Sequence, residues 1–149
     1  MAIKKINEAS LNKGFNKFNE KVTERITDIF GEEYEVEINK HFKKADTQKI
    51  LIDYFTITEE LKELEGIESL KDTIIIPMLM IKQFTNISIP DEGERLLSMA
   101  NKLVELELLN KILDILPEDE LLKMTEVADQ FKNVVVKMVE EKEKESTKE

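Results

Sequence analysis

The feature that most constrains this chain is a jump of its apolar face between Glu105 and Glu107. On a helix advancing about 100° per residue, Ser98, Asn101, Lys102 and Glu105 share one side. Glu107, Asn110, Lys111 and Asp114 share nearly the opposite side. A straight helix from Asp91 to Leu116 would have to bury both sides in succession, which one small core rarely permits. The pattern therefore predicts two short helices joined by a kink or turn near 105–108. Leu96, Met99, Ala100 and Leu103 should be buried before the break, and Leu109, Ile112, Leu113 and Leu116 after it. The alternative is one straight helix between two layers. In that case Leu97, Val104 and Leu108, which lie between the two faces, would sit near a contact with a second layer or a second copy.

Helical spacing recurs elsewhere. Leu11, Phe15, Phe18, Val22, Ile26 and Ile29 step by three and four, predicting one amphipathic helix with Ser10 as N-cap and Gly31 as its stop. Tyr34, Val36 and Ile38 then alternate with Glu35 and Glu37, the period of a half-buried strand. Its partner is either a short strand near Ile3–Ile6, or the segment is simply extended. Asp46 is placed to cap a helix with the stripe Ile50, Tyr54, Ile57, Leu61 and Leu64, stopped by Gly66. Thr56 with Glu59 fits a capping box, which would divide that helix in two. The run Ile74 to Ile81 reads as the most buried helix, with Pro77 in its first turn, and 86–90 as a connector. A last helix should begin at Pro117 and carry Leu121, Met124, Ala128, Phe131, Val135 and Met138 on one seam.

These segments add up to a mainly α fold: a compact helical domain of about five to seven helices, with one short β-hairpin or extended segment near residues 33–42. Residues 1–139 are expected to form a single domain, with residues 1–10 a candidate flexible start. From Glu140 the chain offers only polar and charged residues, so 140–149 is expected to be a disordered charged tail. The 149-residue length suits one domain, which can bury roughly 70% of its unfolded surface. Four Gly and three Pro leave few turn residues for a many-stranded sheet.

Several function classes are disfavoured. The absence of Cys removes disulfides, thiolate zinc sites and cysteine nucleophiles. The start of the chain lacks the apolar core of a secretion signal, and no apolar run approaches the ~18 residues of a membrane helix. A cytoplasmic protein without membrane association is expected. The net charge of −10 is uneven: residues 59–128 hold 16 acids and 7 bases, whereas residues 1–58 hold 10 of each. Such a field disfavours nucleic-acid phosphate and suits either a solvated helical surface or the steering of a basic partner. His41, the single histidine, has neither Cys nor Ser beside it to activate. There is no His-x-x-x-His or Glu-x-x-His pair, and the isolated glycines form no phosphate cradle. Asp91-Glu92-Gly93-Glu94 gathers carboxylates without the spacing of a calcium loop and reads as a capping turn. No enzymatic activity and no cofactor are expected.

One stretch carries a resemblance. Ile81-Lys82-Gln83-Phe84-Thr85-Asn86-Ile87-Ser88-Ile89-Pro90 precedes the Leu-rich run Leu103–Leu113, and Ile115-Leu116-Pro117-Glu118-Asp119-Glu120 follows. Over residues 46–138 this resembles the small tail assembly chaperones of siphophages and prophages of Gram-positive hosts. The resemblance implies a mainly helical, non-catalytic protein, prone to homo-oligomerise in the cytoplasm of the host cell. It would hold the tape-measure protein soluble while tail-tube subunits assemble around it. Met78, Met80, Met99, Met124 and Met138, with Leu97, Val104 and Leu108, are the candidate partner-binding residues. Met-rich surfaces adapt to varied helical clients, although methionines equally fill gaps in a core. Two other readings stay open: an acidic helical regulator or DNA mimic, and a structural minor tail or connector protein.

Overall fold

The computed structural model describes residues 3–64, 66–67, 71–126 and 129. The chain is mainly α, with one short antiparallel hairpin. Helix α1 spans Glu8–Phe15 and passes through a 3-10 turn, Asn16–Asn19, into the hairpin strands β1, Lys21–Thr27, and β2, Glu33–Asn39. Helix α2 follows, Lys44–Glu60, then a π-helical turn, Lys71–Ile75, leading into α3, Ile76–Phe84. Helices α4, Gly93–Glu105, and α5, Leu109–Asp114, come next, and residues 118–126 are again helical. The expected charged tail from Glu140, and the seam residues Ala128, Phe131, Val135 and Met138, lie outside the described residues.

The break between α4 and α5 falls where the jump of the apolar face requires it. Glu107 takes φ +58°, the Leu108 N–H donates to the Leu103 carbonyl at 2.8 Å, and the Glu107 N–H to the Val104 carbonyl at 3.0 Å. This pair of bonds is a Schellman motif with glutamate where glycine is usual, and the buried side chains of Leu103 and Leu108 supply its apolar contact. Leu96, Ala100 and Leu103 are buried before the turn and Leu109, Ile112 and Leu116 after it, with Met99 and Leu113 half-buried.

The first helix differs from expectation. It is capped by Asn7 rather than Ser10, where the Ser10 N–H donates to Asn7 Oδ1 and the Asn7 N–H to Ser10 Oγ, and it ends at Phe15. Val22 and Ile26 belong to β1 instead, which is the partner that β2 needed; Ile3–Ile6 is not a strand. The register runs from Lys21 opposite Asn39 to Thr27 opposite Glu33. Residues four apart share a face in a helix and in a strand alike, so Val22 and Ile26 fit both periods. Gly31 does not stop a helix but turns the hairpin at φ +83°. Asp28 closes that turn, accepting the N–H groups of Phe30 and Glu32 at 2.8 and 3.1 Å and the Tyr34 hydroxyl at 3.2 Å.

Helix α2 is continuous. The Thr56 hydroxyl donates to the Ile52 carbonyl and the Thr58 hydroxyl to the Phe55 carbonyl, so both threonines bond back within the helix rather than capping a new one. Asp46 lies in its first turn and not at its cap, and the helix ends at Glu60, short of Gly66; Leu64 is exposed. Helix α3 is the most enclosed element, with Pro77 in its first turn and Met78, Leu79, Ile81 and Phe84 all at 1% exposure or less. The Phe84 ring stacks on Phe42 with centroids 3.6 Å apart. The inner face of the hairpin, Ile26, Val36 and Ile38, joins the same cluster. The Asp91–Glu94 acids do not cap α4 by side chain; Glu60 of α2 accepts the Gly93 N–H instead.

Candidate protein-binding surface

Helix α4 buries one stripe, and the adjacent stripe runs from half-buried Leu97 to exposed Val104. Leu97 and Val104 are seven residues apart, two turns along one face, and line a shallow groove of about 290 Å³ with Ile74, Ala100 and Asn101. Val104 is 45% exposed. It also borders a second groove of about 320 Å³, lined further by Glu107, Leu109, Asn110 and Lys111, so the two depressions meet at Val104. The hairpin tip approaches the same corner: the Ile29 N–H donates to the Leu106 carbonyl at 3.3 Å, and Lys111 Nζ reaches the Thr27 carbonyl. Ile29 is half exposed and Phe30 is 80% exposed. The result is an open apolar surface rimmed by Glu107 and Lys111.

A separate depression of about 250 Å³ lies around His41, lined by Gly14, Lys17, Phe18, His41, Glu120 and Lys123. The imidazole stands 3.6 Å from Glu20 through Nε2 and 3.6 Å from Glu120 through Nδ1. Glu120 is buried. Desolvation works to raise its pKa, but the Phe42 N–H, Lys123 and His41 more than offset this and hold it below the ordinary carboxylate range. The arrangement ties the entry of β1 to the helical segment 118–126. The lining carries no hydroxyl or thiol nucleophile for the imidazole to activate. Among the described residues no group of three or more His, Cys, Asp or Glu is placed to hold a metal ion, and no helix is long and apolar enough to cross a membrane.

The YomO family model matches residues 9–149, nearly the whole length. The chain belongs to the YomO family. That family is phage- or prophage-type, named for YomO of the SPbeta prophage region of Bacillus, and the chain's origin is phage-related. Comparison with curated proteins and with solved structures returns no match.

Within this YomO-family fold the candidate partner-binding residues separate. Leu97 and Val104 come together on the open groove. Met78, 0% exposed, and Leu108, 4% exposed, are core residues: Met78 lies on the buried face of α3, and Leu108 turns inward to close the Schellman motif. Neither presents a surface to a partner. Met80, Met99 and Met124 are half-buried against the core, and Met138 lies outside the described residues. Ile74 lines the same groove, and Ile29 at the hairpin tip bonds Leu106 at its corner. Periodicity alone places Ile29 on a helix face and Ile74 in a buried helix, so neither is marked as a surface residue by the sequence. The buried role of Glu120 carries no sequence signal, since acids at the start of a helix ordinarily face water and complement its dipole.

Proposed function

We propose that this chain is a tail-assembly-chaperone-like protein: a non-catalytic holdase that binds a helical segment of the phage tape-measure protein during tail-tube assembly in the host cytoplasm. The carrying observation is the apolar groove on α4 between half-buried Leu97 and exposed Val104, in a phage-type chain whose Leu96 and Leu103 on that helix are buried. An amphipathic client helix presents anchors at i, i+3, i+4 and i+7, and Leu97 and Val104 repeat at that last interval. The acidic surface contributes solubility to a complex that carries an apolar client, and repels nucleic acid.

Co-expression with the tape-measure protein tests this. The wild-type chain should keep the tape-measure protein in the soluble fraction and co-purify with it, and Leu97→Asp with Val104→Asp should lose both effects. A tape-measure protein equally insoluble with and without the chain would overturn the reading. Recovery of the chain in purified virions would favour a minor tail or connector role.

A further inference from the structure

The hairpin has two edges, and they are treated differently. The Asp28 N–H donates to the Glu32 carbonyl and the Lys40 N–H to the Glu20 carbonyl, each at 3.0 Å, so the even-numbered residues of β1 exchange bonds with β2. By the alternation of an antiparallel ladder, Lys21, Thr23, Arg25 and Thr27 then turn their N–H and C=O groups away from β2. The corresponding outer edge of β2 is covered: Asn86 bonds Glu37 through both its backbone N–H and its side-chain carbonyl, and Thr85 bridges Ile38. On β1, Lys111 takes the Thr27 carbonyl. Nothing among the described residues takes the outward backbone groups of Lys21, Thr23 or Arg25.

We infer that this edge of β1 is a docking site for an extended segment of a protein partner in which acidic and apolar residues alternate. On the outer face of β1, Lys21 and Arg25 are exposed and positively charged, with Glu33, Glu35 and Glu37 beyond them on β2; on the inner face, Val22 is half-buried and Ile26 buried, with exposed Glu24 between them. A strand laid along the open edge of β1 would place one set of side chains beside these two cations and the alternate set beside Val22, Glu24 and Ile26, with its apolar residues at the two ends of that row. Acids suit the first set and β-branched or aromatic residues the second. The other edge of β1 already holds a strand of this composition, Glu33–Asn39, with Glu35 opposite Arg25 and Val36 and Ile38 turned to the core.

A second copy of β1 is a poor occupant. The outward groups can pair only odd residue with odd, and each well-overlapped antiparallel register opposes like charges. The fullest sets Glu24 against Glu24, a shift one way sets Lys21 against Arg25, and a shift the other way sets Arg25 against Arg25. Edge cations guard strands against self-pairing in this manner, and here the same two select an acidic strand. The inference does not depend on the client-binding reading, which concerns the α4 groove.

The test titrates the full chain with an eight-residue peptide alternating Glu and Val, followed by amide chemical shifts. Saturable shifts centred on Lys21, Thr23 and Arg25 are expected. Thr23→Pro removes one outward N–H without touching a hairpin bond and should weaken binding about tenfold. Lys21→Glu with Arg25→Glu should reject the Glu-Val peptide and accept a Lys-Val peptide; this swap decides the matter if the proline variant unfolds. Shifts confined to another surface, unchanged affinity in a folded Thr23→Pro chain, no selectivity swap, or a dimer that Thr23→Pro abolishes would each overturn the assignment. Loss of tape-measure binding in the Leu97 and Val104 variant with peptide binding intact would separate this site from the groove.

Discussion

The Phe42 N–H donates to Glu120 Oε2 at 3.2 Å, across 78 residues of sequence. The bond fastens the helical segment 118–126 to the link between β2 and α2, beside the Phe42–Phe84 stack. Glu120→Ala removes the acceptor and strands a buried N–H, which costs roughly 1–3 kcal/mol. Glu120→Gln keeps an acceptor and should lose about half as much or less. Denaturant unfolding would measure both; equal losses would mean that charge, not the hydrogen bond, carries the contact.

Acid should weaken the fold through Glu120 and Asp28 together. Burial opposes ionisation of Asp28, but the Phe30 and Glu32 N–H groups, the Tyr34 hydroxyl and the Lys111 charge outweigh it, so its pKa is lowered, as is that of Glu120. The folded values lie below the unfolded ones, about 3.9 for Asp and 4.3 for Glu. The stabilisation is therefore complete above about pH 5 and is lost as pH falls through the depressed folded values. The thermal midpoint of an Asp28→Asn, Glu120→Gln chain should fall less steeply with acid than that of the wild type. Parallel curves would remove both groups from the acid limb.

The Schellman turn makes a prediction about backbone strain. Glu107 occupies the left-handed region at φ +58°, which costs a side-chain-bearing residue roughly 1–2 kcal/mol and glycine little. Glycine's greater freedom when unfolded offsets about 0.5–1 kcal/mol of the gain. Glu107→Gly should therefore be neutral or slightly stabilising, and Glu107→Val destabilising by about 1 kcal/mol or more, because β-branching crowds this conformation further. If both variants unfolded at the same denaturant concentration, strain at this residue would be negligible.

These contrasts also show what the sequence could and could not disclose. The α4–α5 turn was legible because polar residues on both sides of Glu105 mark which faces must stay wet, and one core cannot lie on two sides of a straight helix. The apolar residues of the stripe Leu11–Ile29 fit a helix and a strand alike, and only its β-branched residues separate the two. Val22, Thr23, Ile26 and Thr27 are four β-branched residues among the seven of β1, which favours strand over helix. At the candidate surface, Leu97 and Val104 stood out by lying between two faces. Leu108 satisfied the same criterion and is buried, since helical spacing no longer applies beyond a left-handed residue. The depth of Met78 and the long-range bond of Glu120 depend on which elements pack together, which periodicity within one element does not specify.

The boundary between surface and core on α4 is one residue wide. Val104 is 45% exposed, whereas Leu103 is 9% exposed and packs in the central cluster. Val104→Glu should change stability by no more than about 0.5 kcal/mol, as surface substitutions usually do. Leu103→Ala should cost about 2–4 kcal/mol, because it removes buried methyl groups and opens a cavity beside the Schellman contact with Leu108. Urea unfolding of the two variants would compare them directly. A large loss in Val104→Glu would mean that this side chain is part of the fold, and a binding defect in the Leu97 and Val104 variant could then not be assigned to the groove.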